Sequence, residues 1–179
     1  MNKVFIATSL DGFIADANGS VEFLYQYPDI PGEDMGYATF MATIDALLMG
    51  RKTLETVLGF GVEWPYQKPV FVWTTQLKSV PENLDGKVYL VQGTPAGISA
   101  HLKALGYQQI YIDGGKTIQA FLNEDLIDEM TITTVPVLLG SGIPLFGELS
   151  EMQFFTAVGG KNYPNGVTQR TYVRDRERV

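Results

Sequence analysis

Two short apolar runs that break at glycine and resume as helix constrain this chain more than any other feature. One is Leu47-Leu48-Met49-Gly50-Arg51-Lys52-Thr53, and the other is Ile110-Tyr111-Ile112-Asp113-Gly114-Gly115-Lys116-Thr117-Ile118. Each reads as a buried strand, a glycine turn and a helix whose first turn carries a basic residue and a threonine. Glycine lets the main chain approach a phosphate closely. The first N–H groups of a helix have no internal partners and lie at the positive end of its dipole. Arg51 and Lys116 add full charges, Arg51 with a planar fork suited to phosphate oxygens. Taken singly, Gly50 and Gly114-Gly115 read first as tight strand-to-helix turns. Taken together, they point to a ligand with two phosphate groups, a dinucleotide.

The rest of the chain continues the alternation. Strands are predicted at 3–8, 46–49, 70–73, 87–91 and 109–112, with helices at 33–44, 52–57, 96–105 and 117–122. Gly106 is a good C-terminal stop for the third of these helices. From Asp128 the pattern changes, and 128–139, 153–158 and 167–173 read as strands with little helix between them. The expected fold is therefore α/β, a three-layer α-β-α arrangement with a mostly parallel sheet ending in an antiparallel C-terminal edge.

At 179 residues, 45% hydrophobic and 18% charged, the chain suits one compact domain over 1–179. A net charge of −7 argues against a general nucleic-acid binder, because counterion release needs a basic surface. Any anion site must be local. There is no cysteine, which removes disulfides, thiolate catalysis and cysteine-ligated metals; the single histidine, His101, sits in a surface helix pattern, so no metal site is expected. The start, Met1 to Thr8, is too short and too soon interrupted for a signal peptide, and no apolar run approaches the roughly 18 residues of a membrane span. The expectation is a cytoplasmic protein with a small-molecule substrate, no nucleic-acid partner and no membrane.

With this order in view, the residues carry a family resemblance. Ser9-Leu10-Asp11-Gly12-Phe13-Ile14-Ala15, Met49-Gly50-Arg51-Lys52-Thr53, Thr74-Thr75-Gln76 and Asp113-Gly114-Gly115-Lys116 occur in the order and spacing of dihydrofolate reductase folds. Ser9-Leu10-Asp11-Gly12 and Leu139-Gly140-Ser141-Gly142-Ile143-Pro144-Leu145-Phe146 resemble more closely the branch containing the reductase (RibD C-terminal) domain of bifunctional riboflavin-biosynthesis proteins. The resemblance covers nearly the whole chain. It implies an NADPH-dependent oxidoreductase. Ala7 and Ile14 match positions lining the nicotinamide pocket; Gly50, Arg51, Lys52 and Thr53 match the turn that holds the cofactor's phosphates. Thr74, Thr75 and Gln76 match the strand end near the adenosine ribose and its 2′-phosphate, which favours NADPH over NADH, and Gly114, Gly115, Lys116 and Thr117 match the pyrophosphate turn. On their own, Thr74 and Thr75 read equally as ordinary strand-end polar residues. No G-x-G-x-x-G run is present, so a conventional Rossmann reading loses.

Asp34 and Asp11 are the candidate catalytic acids. On a helix beginning near Glu33, Asp34, Ala38 and Met41 share a face, which would point Asp34 inward; a carboxylate in an apolar pocket has a raised pKa and can hold the N–H groups of a pterin or aminopyrimidine. Asp34 also matches the substrate-binding acid of dihydrofolate reductases. The competing reading is an acidic residue complementing a helix start. Asp11 lies in an Asp-Gly turn beside the expected nicotinamide pocket, and its turn role comes first.

True dihydrofolate reductases follow the first loop with a proline–tryptophan pair. Here Ile14 is followed by Ala15-Asp16-Ala17-Asn18-Gly19-Ser20, which weakens dihydrofolate as the substrate and leaves the cofactor site intact. Tyr25, Tyr27, Tyr37, Trp64 and Tyr66 can supply a stacking wall for a heterocycle, or core and interface. The leading function is reduction of a small heterocyclic or phosphoribosyl-aminopyrimidine substrate, as in 5-amino-6-(5-phosphoribosylamino)uracil reduction. Dihydrofolate reduction proper, or nucleotide binding without turnover, remain open beside it. A homodimer is expected from the apolar late segment, Leu138, Leu139, Ile143, Leu145, Phe146, Phe154 and Phe155, in agreement with the pairing of related reductase domains.

Overall fold

A computed structural model describes residues 1–28 and 30–178. Six strands run parallel: β1 (Asn2–Ser9), β3 (Ala46–Gly50), β4 (Val70–Trp73), β5 (Val88–Val91), β6 (Ile110–Asp113) and β7 (Glu129–Val135). Two antiparallel strands, β10 (Thr168–Arg174) and β9 (Phe155–Asn162), extend the sheet beyond β7 in the order β5-β4-β3-β6-β1-β7-β10-β9. This is the mostly parallel sheet with an antiparallel C-terminal edge that the sequence predicts. A separate two-stranded ladder joins β2 (Phe13–Ala15) to β8 (Ile143–Pro144). Neither strand was expected, because two or three residues are too few to show a period.

The central strands are apolar throughout because helices cover both of their faces. Leu48, Ile110, Ile112 and Val4 pack under α3 (Pro95–Ala104) and α4 (Gly115–Asn123) through Ile98, Leu102, Ile118 and Phe121. On the other face Leu47, Met49, Val70 and Val72 meet α1 (Tyr37–Ala42) and α2 (Arg51–Gly59) through Phe40 and Leu54. Three layers result. A third, smaller cluster of Phe23, Val135, Tyr163 and Val167 seats the long connection between β2 and α1 against β7 and the β9–β10 turn. That connection is tied down by Tyr27 Oη donating to Pro136 O (2.8 Å), Gln169 Nε2 donating to Met35 O (3.0 Å) and a Lys161–Glu33 ion pair.

The predicted helix at 33–44 is the main correction: α1 starts only at Tyr37. Gly32 and Gly36 have φ of 75° and 81°, and Met35, at φ 56°, is also left-handed, so the chain turns three times before a helix begins. Periodicity alone reads through such a segment, because its apolar residues keep helical spacing by coincidence. No helix among the described residues is long and apolar enough to cross a membrane.

Candidate active site

The sheet divides at its carboxyl edge. Strand β6 stays paired with β3 as far as Met49–Asp113, whereas its pairing with β1 stops at Lys3–Tyr111. Strand β1 instead follows β7 along its whole length, from Lys3–Glu129 to Ser9–Val135. A cleft therefore opens between the end of β6 and Phe5–Ala7 of β1. In open α/β sheets, ligands bind in such crevices outside the strand carboxyl ends.

Both glycine turns come to this cleft, and they interlock. A Cβ on Gly114 (φ 91°) would lie 2.2 Å from Thr53 Oγ1, and one on Gly50 would lie 3.1 Å from Thr117 Oγ1. The amino ends of α2 and α4 are thus held side by side, each turn keyed by the other helix's threonine. Gly115 sits under Ile14, where a Cβ would approach Ile14 Cδ1 to 2.8 Å. The β2–β8 ladder is pinned over α4 by Leu145 N–H donating to Gly12 O (2.9 Å) and by Gln119 Nε2 donating to Pro144 O (2.9 Å). The structure thus brings Ala7, Ile14, Gly50, Arg51, Lys52, Thr53, Gly114, Gly115, Lys116 and Thr117 to one edge, around the cleft and the two helix starts. Arg51 is half-buried and forms an i,i+4 ion pair with Glu55, while Lys52 and Lys116 are exposed. Thr74, Thr75 and Gln76 follow β4, two strands from β6; buried Thr74 accepts from Gln76 N–H (3.1 Å) and Leu77 N–H (3.3 Å), so its hydroxyl shapes the turn.

Helix ends make the sharpest distinction. Thr94 caps α3, accepting from Gly97 N–H, and Asp34 serves the first turn of α1 by accepting from Ala38 N–H (2.7 Å). Helices α2 and α4 receive no side-chain cap among the described residues. Their first N–H groups are left for another acceptor, and these are the two helices whose starts meet at the cleft.

The same contacts correct the inward placement of Asp34. Its oxygens accept from Gly36 N–H (2.9 Å) and Ala38 N–H, the residue is exposed, and these bonds hold its carboxyl below the usual carboxylate range. We expect Asp34→Ala to lower the urea unfolding midpoint, as loss of a helix cap does. Asp11 is likewise a fastener: it accepts from Ser9 Oγ (2.6 Å), Gly140 N–H (2.8 Å) and Leu139 N–H (3.2 Å), tying the β1–β2 turn to the loop after β7. Its carboxyl is also lowered, first by the Ser9 hydroxyl.

The acid with the opposite behaviour is Asp113, which sequence reasoning passed over. It ends β6 on the Phe5 side of the sheet, where burial pushes its carboxyl up to about 6 against the lowering effect of the Gly114 N–H bond (2.8 Å). The sequence signal was its position, the last residue of a buried strand directly before Gly114-Gly115. Aromatic side chains line the same corner. Phe5 packs on Tyr37 and Phe40, with centroids at 5.7 and 4.9 Å, Phe40 meets Tyr111 edge-on, and Trp64 meets Tyr66 at 5.2 Å. Tyr111 Oη donates to Phe5 O (2.7 Å). Burial, then the nearby Asp113 charge, raises Tyr37 to about 12 and Tyr66 further, so both hydroxyls stay protonated and can donate. Trp64 Nε1 is buried without a partner among the described residues, an unused donor in this wall.

Comparison with known proteins agrees with this architecture. The model of the RibD C-terminal domain matches residues 3–168. The chain is 38% identical over 174 residues to the uncharacterized protein YwjB of Bacillus subtilis, covering 96% of each. It is 49% identical to a protein from Shewanella sp. PV-4 provisionally named for riboflavin biosynthesis, with a TM-score of 0.94 over 98% of this chain and 99% of that one. The bifunctional diaminohydroxyphosphoribosylaminopyrimidine deaminase/5-amino-6-(5-phosphoribosylamino)uracil reductase of Thermotoga maritima shares the fold, with a TM-score of 0.71, 15% identity, and coverage of 98% of this chain and 56% of that one. With the divided sheet and paired glycine turns in place, and a family match spanning nearly all of it, the chain belongs to the RibD C-terminal domain family.

Proposed function

We propose that this protein is an NADPH-dependent reductase that delivers hydride to a C=N or C=O group on a small heterocyclic or phosphoribosyl-aminopyrimidine substrate. The observation that carries this reading is the pair of uncapped helix starts, α2 and α4, interlocked at the mouth of the cleft. The residues present fit a dinucleotide: Gly50, Gly114 and Gly115 lie so close to Thr117, Thr53 and Ile14 that only glycine fits, and this close packing sets two helix starts without side-chain caps side by side, with N–H groups free for phosphate oxygens. NADPH supplies the hydride from its nicotinamide. Gly50, Lys52, Thr53 and Gly114 to Thr117 would hold the diphosphate, Arg51 would reach the 2′-phosphate, Ala7 and Ile14 would flank the nicotinamide, and Thr74 to Gln76 would lie toward the adenosine ribose. The Tyr37, Tyr66 and Trp64 wall stacks and orients the acceptor. Asp113 gives a proton to the nitrogen or oxygen that hydride addition leaves negative, a role that passes to it from Asp34.

The test is thermal denaturation with NADPH, NADH and no cofactor. NADPH at a hundredfold its Kd adds about 2.7 kcal/mol, which for a domain of this size raises the midpoint by about 5–10 °C. No rise at saturating NADPH overturns the reading. Arg51→Ala should weaken NADPH by about tenfold or more and NADH little, since a hydrogen bond to a charged group is worth about 1.5–3 kcal/mol and Arg51 must only exchange its surface Glu55 partner. Equal losses would put Arg51 at the diphosphate.

We also propose a cytoplasmic homodimer. The expected apolar patch divides: Leu145 is fully buried and Leu139 and Phe155 pack against core clusters, whereas Leu138, Ile143 and Phe146 are exposed. Strand β9 forms one edge of the main sheet, exposed at every residue after Phe155, and open edges of this kind are normally covered. Light scattering at micromolar concentration should give twice the 19.8 kDa chain mass; a monomer refutes the pairing.

A further inference from the structure

On the side of β1 away from the cleft lies a second cavity, of about 210 Å³, between β1, β7, β10 and the segment after β8. We propose that it binds a small organic oxyanion, a carboxylate or phosphate monoester carried on a compact apolar body. Cross-strand register puts its polar groups on one face. Thr8 opposes Thr134 across β1 and β7, and Ile132 opposes Arg170 across β7 and β10. This is the face that α3 and α4 cover elsewhere; at the cavity Leu145 and Phe146 stand over β7 and β10.

Arg170 is the unusual member. In a chain of net charge −7, Arg51, Arg174 and Arg176 pair with carboxylates and Arg178 lies over the Phe154 ring, yet Arg170 has neither kind of partner among the described residues, and its only hydrogen bond is from Nη1 to Gln169 O (3.1 Å). The fold nevertheless makes room for it. Gly160 on β9 lies directly opposite, and a Cβ there would sit 2.3 Å from Arg170 Nη1 and 2.6 Å from Cδ. The threonines repeat the contrast. On the far face Thr131 bonds Thr171 (3.0 Å) and Thr133 accepts from Gln169 Nε2 (2.8 Å), whereas Thr8 and Thr134 line the cavity and make no side-chain hydrogen bond among the described residues. An exposed guanidinium at the rim of the cavity, on the β9 side, with two threonines in its lining is the chemistry of oxyanion recognition. Ile132, Leu145 and Phe146 supply an apolar wall for the rest of the ligand. The volume falls below the ~300–1,000 Å³ of pockets for drug-sized ligands, which limits the body to about one ring.

The experiment is a nitrogen-15 NMR titration of the full chain with benzoate, phenyl phosphate, inorganic phosphate and, as the neutral control, benzamide, each without NADPH and again at saturating NADPH. Saturable shifts at the amides of Thr8, Thr134, Arg170 and Tyr172 are expected with benzoate or phenyl phosphate, and whichever binds tighter identifies the head group. Benzamide and inorganic phosphate should bind about tenfold more weakly or worse, one lacking the charge and the other the apolar body. Arg170→Gln should lower affinity by about tenfold or more, the scale of one charge-assisted hydrogen bond, with Arg170→Lys intermediate and the amide dispersion of both variants unchanged. Thr134→Val gives a second, independent loss. The proposal is overturned by absence of saturable shifts, by binding indifferent to Arg170→Gln, by competition with NADPH, or by an Arg170→Gln variant whose only change is its mass in light scattering. None of these results bears on whether NADPH raises the midpoint, so the two readings fail separately.

Discussion

Asp113→Asn should lower kcat of the reductase by about 10²–10⁴-fold, the usual contribution of a positioned general acid, while leaving NADPH affinity within a few-fold of wild type. Asparagine keeps the size of the side chain and can still accept the Gly114 N–H, so the turn proposed for the diphosphate is undisturbed. What it cannot do is release a proton. The pH profile separates this role from a purely structural one. With its carboxyl near 6 in the folded chain, Asp113 is protonated at mildly acidic pH, and kcat of wild type should fall on a limb above about pH 6 that the variant lacks. Stability changes in the same direction. A carboxyl whose folded pKa is raised above the ordinary 3.8 stabilises the fold fully below about pH 4 and loses that contribution as pH rises through about 6. Urea unfolding at pH 4 and pH 7 should therefore show a decline in wild type of no more than about 3 kcal/mol, less because the carboxyl is partly exposed, and no such decline in Asp113→Asn. Unchanged turnover in Asp113→Asn would remove the proton role from this side chain.

The parallel sheet was legible in the sequence because its strands are buried on both faces and so are continuous apolar runs, such as Leu47-Leu48-Met49 and Val70-Phe71-Val72. The glycine turns were legible for a related reason: a strand ending at Gly50 or Gly114 and restarting as helix has few alternatives. What sequence could not supply is the contact between the turns. Thr53 and Thr117 read as members of separate cradles, and only the β3–β6 register shows each to be the key to the other's glycine. The two acids were misjudged through the same gap. Asp34 has helical spacing to Ala38 and Met41, but left-handed Met35 and Gly36 delay the helix and leave Asp34 outside it as a cap. Asp113 appeared only as the residue before a glycine pair. Its environment is set by Tyr37, Tyr66 and Tyr111, which lie 76, 47 and 2 positions away in the chain, and no local pattern encodes burial assembled from three elements. The late apolar segment failed differently: composition flagged it as a surface patch, yet Leu145 is drawn into the main core by the β2–β8 ladder, which was too short to foresee.

Gly114→Ala should be the most damaging single substitution at this edge, for two additive reasons. At φ 91° and ψ 135° the residue occupies a conformation open to glycine and costly for any other residue, about 1–3 kcal/mol. The new methyl carbon would then stand 2.2 Å from Thr53 Oγ1 and 3.4 Å from Thr53 Cβ, so Thr53 must change rotamer or the first turn of α2 must shift; overpacking of this kind costs about 1–3 kcal/mol more. Against a total stability of about 5–15 kcal/mol the sum is a large fraction, and a fall in the thermal midpoint of about 4–24 °C is expected. The two terms can be separated. Thr53→Ala in the same chain removes the hydroxyl and should restore the steric part, leaving the backbone part. NADPH binding distinguishes the readings further: if α2 and α4 together cradle the diphosphate, forcing their starts apart must lower affinity even in molecules that remain folded. The double variant, which recovers packing but not the backbone conformation, should bind better than Gly114→Ala and worse than Thr53→Ala. Wild-type affinity in folded Gly114→Ala would show that the interlocked turns serve the fold alone, and would leave the uncapped starts of α2 and α4 without a ligand to explain them.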